Sequence, residues 1–203
     1  MESLPRPAPA DPLPIAGKWL TEAATSVPKN PWAMALATVS ADGHPSVRYV
    51  LLKDLSPTAG FIVFFTHYSS RKAVELEARG AGAAVLYWPT VGRQLRFEGR
   101  IERSPDAESD AYFSSRPRAS QLNAWASEQS DPVKSPDAMT GKLEVHRARF
   151  ANEARIPRPR GWGGYRLYLD TIEFWVEGPD RFHERLRFER SPGGTWSSLW
   201  LQP

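Results

Sequence analysis

The chain of 203 residues is long enough for one domain with a sizeable core, and its 41% hydrophobic and 24% charged residues are typical of a globular protein. It contains no cysteine, which excludes disulfides and thiolate chemistry, and no apolar run of the roughly 20 residues that a membrane-spanning helix needs. The net charge of +3 resides in residues 141–203, with 11 basic and 8 acidic residues, so a local anion site fits better than a nucleic-acid partner.

The N-terminal segment is rich in proline. Residues 1–14 contain prolines at positions 5, 7, 9, 12 and 14 and lack the basic start and apolar stretch of a secretory signal. We therefore predict a flexible leader over residues 1–14, a single folded domain over residues 15–203, and a cytoplasmic protein. The spacing of Ile15, Trp19 and Leu20 predicts an amphipathic helix over residues 14–26.

Most of the remaining chain predicts strands. Residues 33–40 and 45–53 flank the turn signal Asp42-Gly43 and predict a hairpin. Further runs rich in β-branched and aromatic residues predict strands at 60–68, 83–89, 93–103, 163–178, 181–190 and 195–202. A chain of this kind is mainly β, and we expect an antiparallel barrel with peripheral helices.

Three helices are predicted between the strands. Residues 69–80 begin with two serines and end at Gly80, a common helix terminator. Ser104-Pro105 and Ser135-Pro136 each combine a capping residue with a proline suited to the first helical position.

A first anion site is predicted at the start of the helix after residue 69. Arg71 and Lys72 lie where the helix dipole disfavours cations, and a phosphate held by the free N–H groups would offset that cost. Thr66, at the end of the preceding strand, offers a further donor. The alternative is a solvated first turn without a ligand.

A second anion site is predicted around Pro117. Tyr112 and Arg116 are four residues apart on one helical face, and Ser120 is placed to cap the next turn after Pro117 interrupts the helix. A phenol, a guanidinium and a hydroxyl suit a phosphate monoester. A simple helix break at the surface is the alternative.

Residues 181–190, RFHERLRFER, alternate in character. Because successive side chains of a strand point to opposite faces, Arg181, His183, Arg185 and Arg187 are predicted to form a cationic row on one face. The histidines of the chain have no metal-ligand spacing, so no metal site is predicted.

Several strings, read together, resemble the pyridoxamine 5′-phosphate oxidase family. They are RYVLLK, FFTHYSSRKAVEL, RQLRFEGRIER, YFSSRPRASQLNAWASEQS, GWGGYRL, IEFW and RFHERLRFER, in order along the chain. The resemblance implies an FMN-binding split β-barrel and a homodimer whose active sites lie at the subunit interface. The charge distribution and the lack of a long apolar run predict no nucleic-acid or membrane partner.

The resemblance also implies roles for individual residues. The implied FMN contacts are Arg48, Tyr49, Val50, Leu51, Leu52, Lys53, Phe65, Thr66, Arg71, Lys72, Gln94, Gln129, Ser130, Trp175 and Arg185. The implied substrate contacts are Lys53, Tyr112, Arg116, Ser120, Arg181 and His183, of which Arg181 and His183 are the expected catalytic pair.

The implied reaction oxidises pyridoxamine or pyridoxine 5′-phosphate to pyridoxal 5′-phosphate. Hydride would pass from the substrate C4′ carbon to the flavin, and O₂ would reoxidise the flavin and give hydrogen peroxide. The chain departs from the family at three places: Trp200 replaces a common arginine, Phe65 replaces a frequent tyrosine, and residues 1–14 lack a recognisable Arg/Tyr segment. A flavin oxidase of the phenazine-biosynthesis type and a non-catalytic binder of FMN or pyridoxal phosphate are the alternatives.

Overall fold

The computed structural model describes residues 3–203, which form nine strands and five helices. The strands are β1 (Ala33–Val39), β2 (Pro45–Leu51), β3 (Asp54–Ser56), β4 (Phe61–His67), β5 (Ala81–Trp88), β6 (Arg93–Arg103), β7 (Trp162–Val176), β8 (Glu184–Arg190) and β9 (Trp196–Leu201). The helices are α1 (Leu13–Ser26), α2 (Arg71–Arg79), α3 (Asp106–Ser115), α4 (Arg118–Ala126) and α5 (Pro136–Arg149). None of them is long and apolar enough to cross a membrane.

The strands form one antiparallel sheet in the order β2-β1-β5-β6-β7-β4-β3, with β8 paired to β7 and β9 to β8. The sheet curls toward closure after β2, where the Lys53 N–H donates to the Val63 carbonyl at 2.8 Å. The prediction of an antiparallel barrel with peripheral helices is confirmed. The hairpin of β1 and β2 and the helix that ends at Gly80, where φ is +66°, are also as predicted.

The core follows from the strand alternation. Leu86, Leu95, Phe174 and Leu186 are register neighbours across β5, β6, β7 and β8, and each is 0% exposed. Burial of each such side chain stabilises the fold by about 1.5–3 kcal/mol. The residues one position along from this row therefore face outward on the same strands.

The N-terminal segment is held more firmly than the sequence predicted. Leu4 is 3% exposed, and its N–H donates to Glu184 Oε2 at 2.9 Å. Arg6 Nη2 donates to Glu184 Oε1 at 2.7 Å, and the Arg6 guanidinium lies 5.1 Å from the ring centroid of Trp200. Residues 4–6 thus pack against β8 and β9, because the Leu4 side chain is buried and the Glu184 carboxylate accepts hydrogen bonds from Leu4 and Arg6.

A second apolar cluster lies beside the barrel. It contains Phe113, Leu122 and Phe150 from the helical segments, together with Ile156 and Trp162. Because Trp162 is the first residue of β7, this cluster fixes α3 and α4 against one end of the barrel. The space between them contains the candidate site.

Candidate functional site

A cavity of about 500 Å³ lies between the end of β4 and the helices α3 and α4. It is lined by eleven of the predicted site residues: Tyr49, Val50, Leu51, Lys53, Phe65, Thr66, Lys72, Tyr112, Arg116, Ser120 and Gln129. Three lining side chains are cationic and none of those described is Asp or Glu, so the cavity favours an anion. A larger groove of about 850 Å³ elsewhere on the sheet contains none of the predicted residues.

One wall of the cavity is aromatic. The rings of Phe65 and Tyr112 stack with centroids 4.0 Å apart, and Phe65 also stacks on Trp162 at 5.4 Å. The Arg116 guanidinium lies 4.6 Å from the Trp162 ring centroid, and its Nη1 is buried without a partner among residues 3–203. Lys53 Nζ is 5.6 Å from the Tyr112 ring. A buried donor without an acceptor is costly, so this wall is suited to a ligand that supplies oxygens.

The opposite wall is polar. Lys72 Nζ donates to Gln129 Oε1 at 2.9 Å and to Thr66 Oγ1 at 3.2 Å, and the Thr66 hydroxyl also donates to Gln129 Oε1 at 2.7 Å. Burial, with help from the nearby Arg48, lowers the pKa of Lys72 to about 8 although Glu75 opposes the change. An anionic oxygen here would relieve the buried ammonium.

The N-terminus of α2 differs from the prediction in one detail. Ser70 occupies the N-cap position, but its hydroxyl donates to the His67 carbonyl at 2.7 Å and makes no capping bond to the helix. The Arg71 N–H instead donates to Ser130 Oγ at 3.2 Å, from a residue with a φ of +80°. Ser130 therefore brings a hydroxyl to the start of α2.

Glu75 organises the cations behind the polar wall, although no local sequence pattern marks it as a site residue. Its side chain is 4% exposed and accepts hydrogen bonds from Thr38, from Ser46 at 2.7 Å, from Arg48 at 3.2 Å and from Arg71 at 2.7 Å. Burial alone would raise the pKa of Glu75, but the hydrogen bonds from Thr38, Arg71 and Ser46 lower it to about 2. Arg48 is turned into this cluster and does not line the cavity.

A second group of predicted residues forms a row across the outer face of the sheet. Gln94 pairs with Trp175, and Trp175 pairs with Arg185. The ring of His183 lies 4.5 Å from that of Trp175, at an angle of 41°. Arg185 Nε donates to Glu173 Oε1 at 2.9 Å. The row therefore presents an indole, an imidazole, an amide and a guanidinium together.

The predicted strand over residues 181–190 is wrong at its start. The strand begins at Glu184, because Asp180 and Arg181 have φ values of +52° and +66° and form a turn. A Cβ at Gly178 would lie 1.8 Å from the Phe182 carbonyl, so the turn requires a glycine there. Arg181 is exposed and His183 precedes the strand, so alternation alone does not place them on the wall of Arg185.

Ser120 also differs from its predicted role. Helix α4 begins at Arg118 with Pro117 at its N-cap, so Ser120 lies within the first turn and does not cap it. Its side chain still lines the cavity.

The two groups lie at opposite ends of β7. Trp162, the first residue of this strand, lines the cavity, whereas Trp175 is its last residue but one. At about 3.3 Å per residue the contour of β7 is on the order of 50 Å. One chain therefore presents two separate groups of predicted residues: the cavity, and the row of Gln94, Trp175, His183 and Arg185.

Two family models match nearly the whole chain. Residues 20–152 match the pyridoxamine 5′-phosphate oxidase model, and residues 162–203 match the pyridoxine 5′-phosphate oxidase C-terminal dimerisation region. The chain belongs to the pyridoxamine 5′-phosphate oxidase family.

Similar proteins support this assignment. The pyridoxine/pyridoxamine 5′-phosphate oxidase of Cupriavidus necator is 45% identical over 95% of this chain and 89% of its own length. That of Cereibacter sphaeroides is 46% identical over 95% of both chains. Among solved structures, PhzG from Burkholderia lata 383 in complex with tetrahydrophenazine-1-carboxylic acid is 32% identical, with a TM-score of 0.88 over 98% of this chain and 95% of that one.

In this member of the pyridoxamine 5′-phosphate oxidase family, the segment that matches the dimerisation region contains several of the predicted site residues. It begins at Trp162 and includes β7, β8 and β9, and hence Trp175, His183 and Arg185. The row of Trp175, His183 and Arg185 is thus part of the segment that matches a dimerisation region.

Proposed function

We propose that this protein is an FMN-dependent oxidase that converts pyridoxine and pyridoxamine 5′-phosphate to pyridoxal 5′-phosphate with O₂ as the acceptor. The observation that carries the proposal is the buried, unpartnered Nη1 of Arg116 in a cavity whose described lining has no carboxylate. The identity of 45–46% to oxidases of this name over 95% of the chain supports the same substrates.

The polar wall fits the phosphate of FMN. Arg71, Lys72, Thr66, Gln129 and Ser130 would hold it, because they place two cations and three neutral polar groups around one end of α2. The helix dipole favours an anion at the same place. In this arrangement Arg71 keeps its two terminal nitrogens for the ligand, since only Nε is bonded to Glu75.

The aromatic wall fits the substrate. Arg116, Lys53, Tyr112 and Ser120 would bind the substrate phosphate through one guanidinium, one ammonium and two hydroxyls. The stacked rings beside them would give the pyridine ring a flat apolar surface. Binding energy from the phosphate would in this way align the reacting carbon.

When bound, FMN would supply the hydride acceptor, and O₂ would take the electrons onward to hydrogen peroxide. The protein groups then have limited tasks: His183 and Arg181 would orient the substrate, and Arg185 would contribute positive charge. Arg185 is held in place by Glu173, whose side chain is 4% exposed.

We further propose a homodimer in which each cavity is completed by the row of the partner subunit. Edge strand β2 presents Val47, Tyr49 and Leu51 at 67%, 77% and 43% exposure, a stripe of apolar side chains that a partner would cover. The position of Trp175 near the far end of β7, with Arg185 of β8 paired to it, supports the same arrangement, because a single chain does not bring the cavity and the row together.

The oxidase is tested with the purified protein. We expect a yellow protein that is bleached by pyridoxine 5′-phosphate without oxygen and that consumes O₂ and produces hydrogen peroxide in air. A protein that binds FMN but is not reduced by either phosphorylated vitamer would be a binder, and the proposal would be wrong.

The shared site is tested by mixing two impaired variants, Arg116→Ala and His183→Ala, in one preparation of dimers and assaying it at a substrate concentration where each variant alone has little activity. If the cavity and the row of one site come from different subunits, each mixed dimer has one intact site. Half of the dimers are mixed, so about a quarter of wild-type activity should return. If each site is built from one chain, the mixture stays inactive.

The second candidate is a flavin oxidase acting on a phenazine precursor, because PhzG resembles this chain along nearly its whole length. Such a substrate has no phosphate ester to match Arg116, Lys53 and Ser120. Activity on a reduced phenazine carboxylate in the absence of activity on both phosphorylated vitamers would favour it.

The single domain over residues 15–203 and the cytoplasmic location stay predictions.

A further inference from the structure

His67, the last residue of β4, lines the cavity but was not among the predicted site residues. Its side chain is 9% exposed. Its carbonyl accepts from the Ser70 N–H at 3.1 Å and from the Ser70 hydroxyl at 2.7 Å, so the backbone is fixed. No hydrogen bond within residues 3–203 involves the imidazole, which leaves both ring nitrogens for a ligand.

The ring of His67 is on the substrate side of the cavity. His67 pairs with Trp162 across β4 and β7, and Arg116 lies 4.6 Å from the Trp162 ring. Residues two apart in a strand share a face, so His67 lies on the face of Phe65, and Thr66 with its bond to Lys72 points the other way. His67, Trp162 and Arg116 are therefore contiguous on one wall.

The charges around His67 are all positive. Burial lowers the pKa of His67, and so do Lys72 of α2 and Arg116 between α3 and α4. Lys53 and Tyr112 also line the cavity, and no described lining residue is a carboxylate. The imidazole is thus neutral at neutral pH while the cavity has no anion. A doubly charged phosphate beside it would instead favour the protonated imidazolium.

We propose that His67 is a specificity-determining residue that donates a hydrogen bond to the phosphate held by Arg116 and takes up one proton from solvent when that phosphate binds. This inference rests on the proposed function. The unpartnered Nη1 of Arg116 and the imidazole of His67 would then both donate to oxygens of the same phosphate. A phosphate dianion gains a third charged donor from this arrangement, and a ligand with no phosphate does not.

The proposal is tested with the FMN-loaded protein by calorimetry at pH 7.5 in buffers of different ionisation enthalpy, which counts protons. At this pH a phosphate monoester is already mostly a dianion, with a second pKa of about 6. Wild-type protein should take up a proton with pyridoxal 5′-phosphate and none with pyridoxal. His67→Gln should lose the uptake and bind pyridoxal 5′-phosphate about tenfold more weakly, with pyridoxal binding unchanged.

His44→Gln is the matched control, since His44 is exposed in the turn between β1 and β2, and it should behave as wild type. His67→Asn carries the same neutral amide donor as His67→Gln on a shorter side chain and cannot be protonated, so it too should bind without proton uptake. Unchanged proton uptake in His67→Gln overturns the proposal, and so does a change that appears only when FMN binds to the flavin-free protein. A protein that oxidises neither vitamer would instead overturn the proposed function.

Discussion

The Nε–H of Arg71 donates to Glu75 Oε1 at 2.7 Å, one turn further along α2. Arg48, from β2, reaches the other oxygen of the same carboxylate at 3.2 Å. A buried acid thus fixes two cations next to the proposed flavin phosphate, while Arg71 itself is largely exposed. The stability of the folded protein around this cluster should depend on Glu75. The affinity of the site for the flavin phosphate should depend on Arg71.

Replacement of the carboxylate, Glu75→Gln, should lower the free energy of unfolding by about 3 kcal/mol, because Arg48 then loses its charged partner in a mostly buried place. Urea denaturation of the flavin-free protein measures this. Glu102→Gln is a matched control: its carboxylate pairs with Arg100 but is 51% exposed, and it should change stability by less than about 1 kcal/mol. Equal effects of the two variants would contradict the role of Glu75.

The contribution of Glu75 should also depend on pH. The pKa of this carboxyl is lowered in the folded protein, from 4.5 to about 2. The stabilisation is therefore complete above pH 4.5 and is lost as the pH falls toward 2. The difference in unfolding free energy between wild type and Glu75→Gln should shrink across this window. A difference that stays constant down to the acid limit would show that the charge does not matter.

Arg71→Ala should weaken FMN binding by roughly 10-fold to 100-fold, the range expected for one charge-assisted hydrogen bond. Quenching of flavin fluorescence during titration of the flavin-free protein gives the dissociation constant. Arg79→Ala, at the other end of α2, is the control, because Arg79 bonds to the carbonyls of Ser40 and Ala41. Full flavin occupancy of Arg71→Ala after dialysis would remove Arg71 from the site.

FMN affinity should fall as the pH rises above about 8, since the pKa of Lys72 is lowered to about 8 and its neutral form grows there. The bound phosphate favours the protonated amine, so each further pH unit should cost up to about tenfold in affinity. Titrations between pH 7 and 10 measure this. Lys72→Met should bind more weakly and lose the dependence; if it keeps the same slope, another group is responsible.

Arg116→Ala should raise the KM for pyridoxine 5′-phosphate strongly, by tenfold or more, while FMN stays bound. Steady-state oxygen consumption and the flavin absorbance measure the two effects. Arg155→Ala is a suitable control, because Arg155 is exposed and its one side-chain hydrogen bond within residues 3–203 is to Ser114 Oγ at 3.4 Å. An unchanged KM would exclude Arg116 from substrate binding.

The local elements were predictable where one stretch of chain contains its own signals. The run over residues 93–103 became β6 with the predicted bounds, and Ser135 accepts from the Ala138 N–H at the start of α5 as the Ser-Pro signal indicates. The 181–190 run failed only at its first residues, where Asp180 and Arg181 adopt positive φ and delay the strand.

The parts of the site that depend on distant residues were not predictable. Glu75 looks like an ordinary partner of Arg71 in the sequence, and only the fold brings Thr38, Ser46 and Arg48 to the same carboxylate. Likewise, no local pattern shows that Thr66 pairs with Gly163 at the start of β7, whereas Trp175 lies near the other end of that strand. The signal for His67 was its position next to Thr66, but its value depends on a cross-strand pair with Trp162.

The contacts of Glu184 and Arg185 bring both ends of the described chain to one place. Leu4 is bound to Glu184, and the Gln202 carbonyl accepts from the neighbouring Arg185 at 3.1 Å. A purification tag or fusion partner attached before residue 3 or after residue 203 would therefore emerge beside His183 and Arg185. The exposed turn at residues 57–59 is a better insertion point for labels, because it lies between β3 and β4 and leaves both ends as they are.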